Sequence, residues 1–175
     1  MEFPVFKYHP DPIKTGSVVP TDESCDCCGL SMGYKGITEL RAGEAVKSVC
    51  PWCIADGSAV TRFGGYFAGI SPKSIDVVAA DVVDEVCLRT PGFLSWRDDV
   101  WVACCGDVCE FHGDAERASL QELSGDALGR FLKVQCMGSE QWQGFLSVYQ
   151  KGSYPAVYEF KCRVCKERLY SMDFA

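Results

Sequence analysis

Histidine is nearly absent from this chain, and so are the motifs from which most hydrolytic sites are built. Only His9 and His112 occur among 175 residues. A catalytic zinc keeps an open coordination position and usually takes His or carboxylate ligands, with a base nearby. There is no Gly-rich phosphate loop of the Walker type, no G-x-S-x-G and no H-E-x-x-H. An enzyme is therefore not expected. Basic residues are also scarce: 17 Lys and Arg face 24 Asp and Glu, for a net charge of -7. A general phosphate-binding surface needs the opposite balance, so nucleic acid is not an expected partner, whereas a basic protein is. Nothing approaches the run of about 20 apolar residues that spans a bilayer, which argues against a membrane partner. The opening, Met1 to Lys7, has no basic n-region, apolar h-region or small-residue cleavage site. A reduced, cytoplasmic setting is the expectation.

Cysteine, by contrast, is abundant, at twelve residues. Cys25-x-x-Cys28 and Cys50-x-x-Cys53 are each the size of one tight metal knuckle. Four thiolates from two such turns make a closed tetrahedral set, the usual form of structural Zn²⁺. In a reducing compartment this spacing favours metal over disulfides. Cys27 is an extra thiol beside the first set, since coordination stops at four. A second set is predicted from Cys105, Cys109, Cys162 and Cys165, so two zinc ions are expected. Cys104 competes with Cys105, because alternation along a strand would point them to opposite faces. Cys105 is preferred because Gly106-Asp107 follows it, as in a turn. Cys87 and Cys136 read as small core residues. His112 reads as a surface side chain or one that orients a ligand, and His9 lies in a proline-rich loop. Pairing His112 with Cys109 as a nucleophile would consume a ligand.

Prolines make residues 1–24 loop-like, and residues 54–73 read as loop with short extended pieces. Ile75, Val78, Ala79, Val82, Val83 and Val86 recur at the helical period, predicting a helix over 73–89 that starts after Ser71-Pro72 and stops at Thr90-Pro91-Gly92. A strand is predicted at Val100–Cys104, and helices at about 115–123, 125–133 and 139–150. The chain closes on a hairpin, Val157–Phe160 and Arg168–Met172, around the Cys162 knuckle. The fold class is α+β, with zinc-ribbon-like knuckles and short antiparallel strands packed with several helices around two four-cysteine zinc sites. One domain is expected over 1–175: a ribbon-like part at about 20–60, a helical middle, and a C-terminal zinc-knuckle hairpin at about 155–175.

Phe6-Lys7-Tyr8-His9-Pro10-Asp11-Pro12, Cys25-Asp26-Cys27-Cys28-Gly29, the run Cys50-Pro51-Trp52-Cys53-Ile54-Ala55-Asp56-Gly57, Arg89-Thr90-Pro91-Gly92-Phe93 and Trp101 through Cys109 resemble the CbrC-like family. That family comprises bacterial cytoplasmic proteins linked to tolerance of a DNase-type colicin, and the resemblance spans nearly the whole chain. Residues 60–86 depart from its pattern. The family has a non-cysteine residue at the place of Cys104, which supports Cys105 as the ligand. The resemblance implies a toxin-defence role: an immunity-type protein that neutralises an antibacterial nuclease by occluding its active site or nucleic-acid groove. Candidate contacts are the acidic helix face, Asp76, Asp81, Asp84 and Glu85, together with Trp96, Asp98 and Asp99. Singly, these residues also read as solvated positions. The alternative is a zinc-ribbon nucleic-acid-binding or stress-regulatory protein using Lys161, Arg163, Lys166 and Arg168. A thiol redox sensor acting through Cys27 or Cys104 is a third reading.

Overall fold

Strand and helix periods alternate along the chain in short segments, and the computed structural model, which describes residues 1–71 and 75–174, is correspondingly a mosaic of small sheets and helices. At the N-terminal end β1 (Val18–Pro20) pairs antiparallel with β2 (Tyr34–Gly36), and β3 (Leu40–Arg41) with β4 (Ala45–Val46). Two helices follow, α1 (Pro51–Ala55), which begins where a ribbon-like knuckle is expected, and α2 (Ser58–Phe63), in a stretch that reads as loop. Pro51 sits at the first helical position, where its missing N–H costs nothing and its fixed φ is already helical. Leu40, Val46, Ile54 and Phe67 pack with Cys25, Cys50 and Cys53 into one buried cluster.

The middle of the chain carries β5 (Gly69–Ile70), α3 (Ala80–Arg89), β6 (Val100–Trp101) and the hairpin β7 (Ala103–Cys104) with β8 (Asp107–Val108). The β5–β6 pair is parallel, one exception to the antiparallel pairing expected. The helix predicted over 73–89 is shorter: α3 starts after Ala79, and residues 72–74, which include the predicted start at Pro72, lie outside the described residues.

A three-stranded antiparallel sheet, in order β11-β10-β9, joins the remainder. It consists of β9 (Glu110–Asp114), β10 (Ala156–Lys161) and β11 (Arg168–Asp173), with α4 (Arg117–Gln121), α5 (Gly125–Val134) and α6 (Ser139–Val148) inserted between β9 and β10. Strand alternation gives the sheet two different faces. Ala156, Tyr158, Phe160 and, one step beyond the strand, Cys162 face a cluster built on Trp101, Phe93 and Phe111, in which Phe93 and Phe111 stack at 4.0 Å. Val157 and Met172 face the other way, onto Trp142, Leu146 and Tyr149 of the helical insertion. The pleat that buries Phe160 therefore also delivers Cys162 to the edge of the central core.

Candidate metal centres

Cys25 opens a tight turn in which the N–H of Gly29 donates to the Cys25 carbonyl at 2.8 Å. Gly29 has φ +74, a left-handed value that an L side chain resists and glycine accepts. Asp26 ties this turn to the second one. Its N–H donates to the Ser48 carbonyl at 2.7 Å, while its carboxylate accepts from the N–H groups of Lys47 and Ser48 at 2.9 and 3.0 Å. Cys50 then occupies the cap position of α1 and Cys53 its first turn. The result brings Sγ of Cys25, Cys28, Cys50 and Cys53 within 4.8 Å of one another. The Cys25 sulfur accepts the Cys50 N–H at 3.3 Å. Burial raises its pKa, but backbone N–H groups of Cys50, Cys28 and Cys27 aimed at the sulfur outweigh that and hold it below the ordinary thiol value. N–H groups converging on one sulfur stabilise a thiolate, the form that binds metal. Cys27 stays outside the set, with its thiol 3.6 Å from Ser58 Oγ.

The second centre differs from the expectation in one ligand. Cys104, Cys105, Cys162 and Cys165 come together within 4.8 Å, and Cys109 does not join them. The alternation argument fails because the strand ends at Cys104. Cys105 and Gly106 form a two-residue turn with φ 55 and 77, and reversal of the chain swings Cys105 back beside its neighbour. The Sγ atoms of Cys104 and Cys105 are 3.7 Å apart. Cys109 is instead fully buried in the central cluster, where burial pushes its thiol up to about 12. In the terminal knuckle the N–H groups of Val164 and Cys165 both point at Cys162 Sγ, at 3.4 Å each. Burial raises the pKa of Cys162, yet the N–H groups of Cys165 and Val164 win and bring it down to about 7.

Both donor sets fit a soft, four-coordinate ion. Metal–sulfur bonds of about 2.3 Å place the corners of a tetrahedron about 3.8 Å apart. Cys104 lies 3.7 Å from Cys105 and 3.9 Å from Cys165, sulfur to sulfur. All twelve cysteines are free of disulfides. No histidine enters either set among the described residues. His9 is sealed in the core between the Pro91 carbonyl at 2.9 Å and Thr15 Oγ1 at 2.7 Å, and His112 is exposed beside Glu110.

The expected contact residues fare unevenly. Asp81 and Asp84 are exposed and Glu85 half-buried on α3, while Asp76 is exposed ahead of the helix. Trp96 and Asp98 are exposed, with the Trp96 ring edge-on to Tyr154 at 5.4 Å. Asp99 is corrected: it is 1% exposed and pairs with Arg41, so it is an internal ion pair and not a surface contact. Gly92 packs against it so closely that a Cβ there would collide with Asp99 Oδ2. Cys136 is corrected in the opposite sense, being exposed just after α5. Two of the four basic residues of the terminal hairpin, Arg163 and Arg168, stand in ion pairs. Arg163 bonds Asp107 at 3.0 Å and Glu110 at 3.5 Å, and Arg168 bonds Glu159 at 3.5 Å. No helix among the described residues is long and apolar enough to cross a membrane.

The profile of the uncharacterised protein family UPF0167 matches residues 3–174. A UPF0167 protein of Pseudomonas aeruginosa is 40% identical over 173 residues, covering 98% of this chain and 97% of that protein. UPF0167 proteins of Mycobacterium bovis and Mycobacterium tuberculosis are each 34% identical over 177 residues, covering 99% of this chain and 95% of theirs. No solved structure matches.

Proposed function

We propose, for a chain that belongs to the UPF0167 family, a zinc-stapled binding protein that works by contact and carries out no reaction of its own. The observation that carries this reading is the pair of four-sulfur sets, Cys25, Cys28, Cys50, Cys53 and Cys104, Cys105, Cys162, Cys165. All-thiolate sets with no histidine or carboxylate leave no coordination position for a substrate. Zn²⁺, when bound, supplies closure: it would tie the Cys25 turn to α1, and the β7–β8 turn to the terminal knuckle. A body clamped in this way loses little conformational freedom on meeting a partner.

The partner we propose is a basic antibacterial nuclease of the DNase-colicin type, met in the cytoplasm and blocked at its active site or nucleic-acid groove. Support comes from the net charge of -7, from the exposed acids Asp76, Asp81, Asp84 and Asp98, from the exposed Trp96, and from the resemblance to CbrC-like proteins. Acidic surface speeds capture of a basic protein, and Trp is among the residues enriched at binding hot spots. The nucleic-acid reading finds less support, because Arg163 and Arg168 are paired with Asp107 and Glu159. The test is titration of a DNase-type colicin nuclease domain with the purified protein, following cleavage of duplex DNA. Inhibition that weakens with salt, and roughly tenfold or more on Trp96→Ala, is the expected result. Undiminished cleavage at micromolar protein would rule out this partner.

A further inference from the structure

The two sulfur sets are not equally sheltered. In the N-terminal set Cys25, Cys50 and Cys53 are buried and only Cys28 is exposed, whereas in the C-terminal set only Cys162 is buried, Cys104 is half-buried, and Cys105 and Cys165 are exposed. Three of the N-terminal sulfurs, Cys25, Cys50 and Cys53, belong to a packed apolar cluster with Leu40, Val46 and Ile54. The C-terminal ones sit at the meeting of two hairpin turns whose flanking residues, Val164 and Lys166, face solvent. Attack by a small oxidant depends on access to thiolate sulfur.

We infer that the C-terminal set is a site of oxidative modification by peroxides, which converts it from a metal clamp to a disulfide joining Cys165 to the Cys104–Cys105 turn. This rests on the metal reading above. The Cys165 thiolate attacks hydrogen peroxide: the O–O bond breaks, an S–O bond forms, and hydroxide leaves. A neighbouring thiolate then attacks the resulting sulfenic sulfur, forming S–S, breaking S–O and releasing a second hydroxide. Two electrons pass from the two sulfurs to the peroxide. Cys104 is placed for the second step, with its sulfur 3.9 Å from that of Cys165. Cys105 is nearer to Cys104, at 3.7 Å, but sequence neighbours are a poor pair. Their Cα atoms lie about 3.8 Å apart, short of the roughly 4.4 Å that a disulfide normally needs. For the β7–β8 turn, oxidation therefore runs across to Cys165 rather than between its own two sulfurs. The two sulfurs left over no longer form a four-ligand set, and the site loses its hold on the ion.

The test uses the full chain as purified. Zinc is first counted by elemental analysis, and hydrogen peroxide is then added in the presence of a chromophoric zinc chelator, with disulfides mapped by mass spectrometry. The expected result is release of one of two equivalents at least about tenfold ahead of the other, with a bridge from Cys165 to Cys104 or Cys105 and the N-terminal set still reduced. Simultaneous release, earlier oxidation of the N-terminal set, a bridge confined to one turn, or no release from a two-zinc protein would each overturn the inference. Fewer than two equivalents before oxidation would instead overturn the metal reading on which it rests. Cys165→Ser is expected to purify with one zinc equivalent only, and to release none of it at the peroxide level that frees the first equivalent of the parent. If that variant does not fold, the disulfide map of the parent decides alone.

Discussion

A neutral imidazole sealed inside the protein makes stability depend on acidity. Burial lowers the pKa of His9 to about 4, against an ordinary 6.5. Between those values the unfolded chain takes up a proton that the folded one refuses, so stability is full above pH 6.5 and is lost as pH falls towards 4. The buried Asp99 works in reverse: burial raises it to about 6 despite Arg41, so the folded form binds a proton first and gains stability as pH falls from 6 to about 4. Each shift corresponds to about 3 kcal/mol when complete, and the two largely offset each other. Replacing His9 removes one side of the balance. His9→Gln is expected to be less stable than the parent at pH 7, yet to lose about 2 kcal/mol less on going to pH 5, read from urea unfolding curves. An identical drop in both proteins would show that His9 does not titrate as argued. Neither role was legible beforehand. His9 stands among Pro10 and Pro12 in what reads as surface loop, and Asp99 follows an acidic neighbour as on a solvated edge. Their burial comes from the tertiary fold, which sets His9 against Pro91, Trp101 and Phe111 and sets Asp99 against Arg41 and Gly92.

The β7–β8 hairpin decides which cysteines meet. Its two-residue turn at Cys105-Gly106 places adjacent sulfurs on one side, and Cys109 falls inside the core instead. Cys104→Ala is therefore expected to cost the protein one metal equivalent, whereas Cys109→Ala should retain both and lose only packing, about 1–2 kcal/mol for a small buried side chain. Metal content by elemental analysis of both variants separates the two cases, and the opposite pattern would restore Cys109 as ligand. The turn signal was present in Cys105-Gly106-Asp107, since a glycine in such a loop favours positive φ. Strand alternation was carried one residue too far. The helices α5 and α6 are readable because their apolar residues keep the 3.6 period over ten residues, and the terminal hairpin because two short apolar runs flank the Cys162 knuckle. By contrast α1 and α2, at five and six residues, are too short to display a period.

Three buried clusters hold the chain together, and the sulfur sets sit at the first and at the edge of the second. The strands of the N-terminal part are only two or three residues long and bury too little to persist alone. Stripping the metal with a strong chelator is thus expected to lower Tm on the order of 10 °C, given about 2–4 °C per kcal/mol for a chain of this size and several kcal/mol from a structural ion. The loss should fall mainly on near-UV signals from Trp52, which stands beside Cys53 in α1. An unchanged melt after complete removal would show that the ions clamp nothing.

The sequence alone determined the donor chemistry, the membership of the first sulfur set and the long elements, because knuckle spacing and apolar period are local properties read over a few residues. The tertiary structure decided the fourth ligand of the second set, the burial of His9 and Asp99, and the commitment of the hairpin arginines to acids. The Cys104–Cys105 turn meets the Cys162 knuckle, His9 meets Pro91, Asp99 meets Arg41 and Arg163 meets Asp107 from segments far apart in sequence. Such meetings are set by how the three cores pack rather than by any neighbour along the chain.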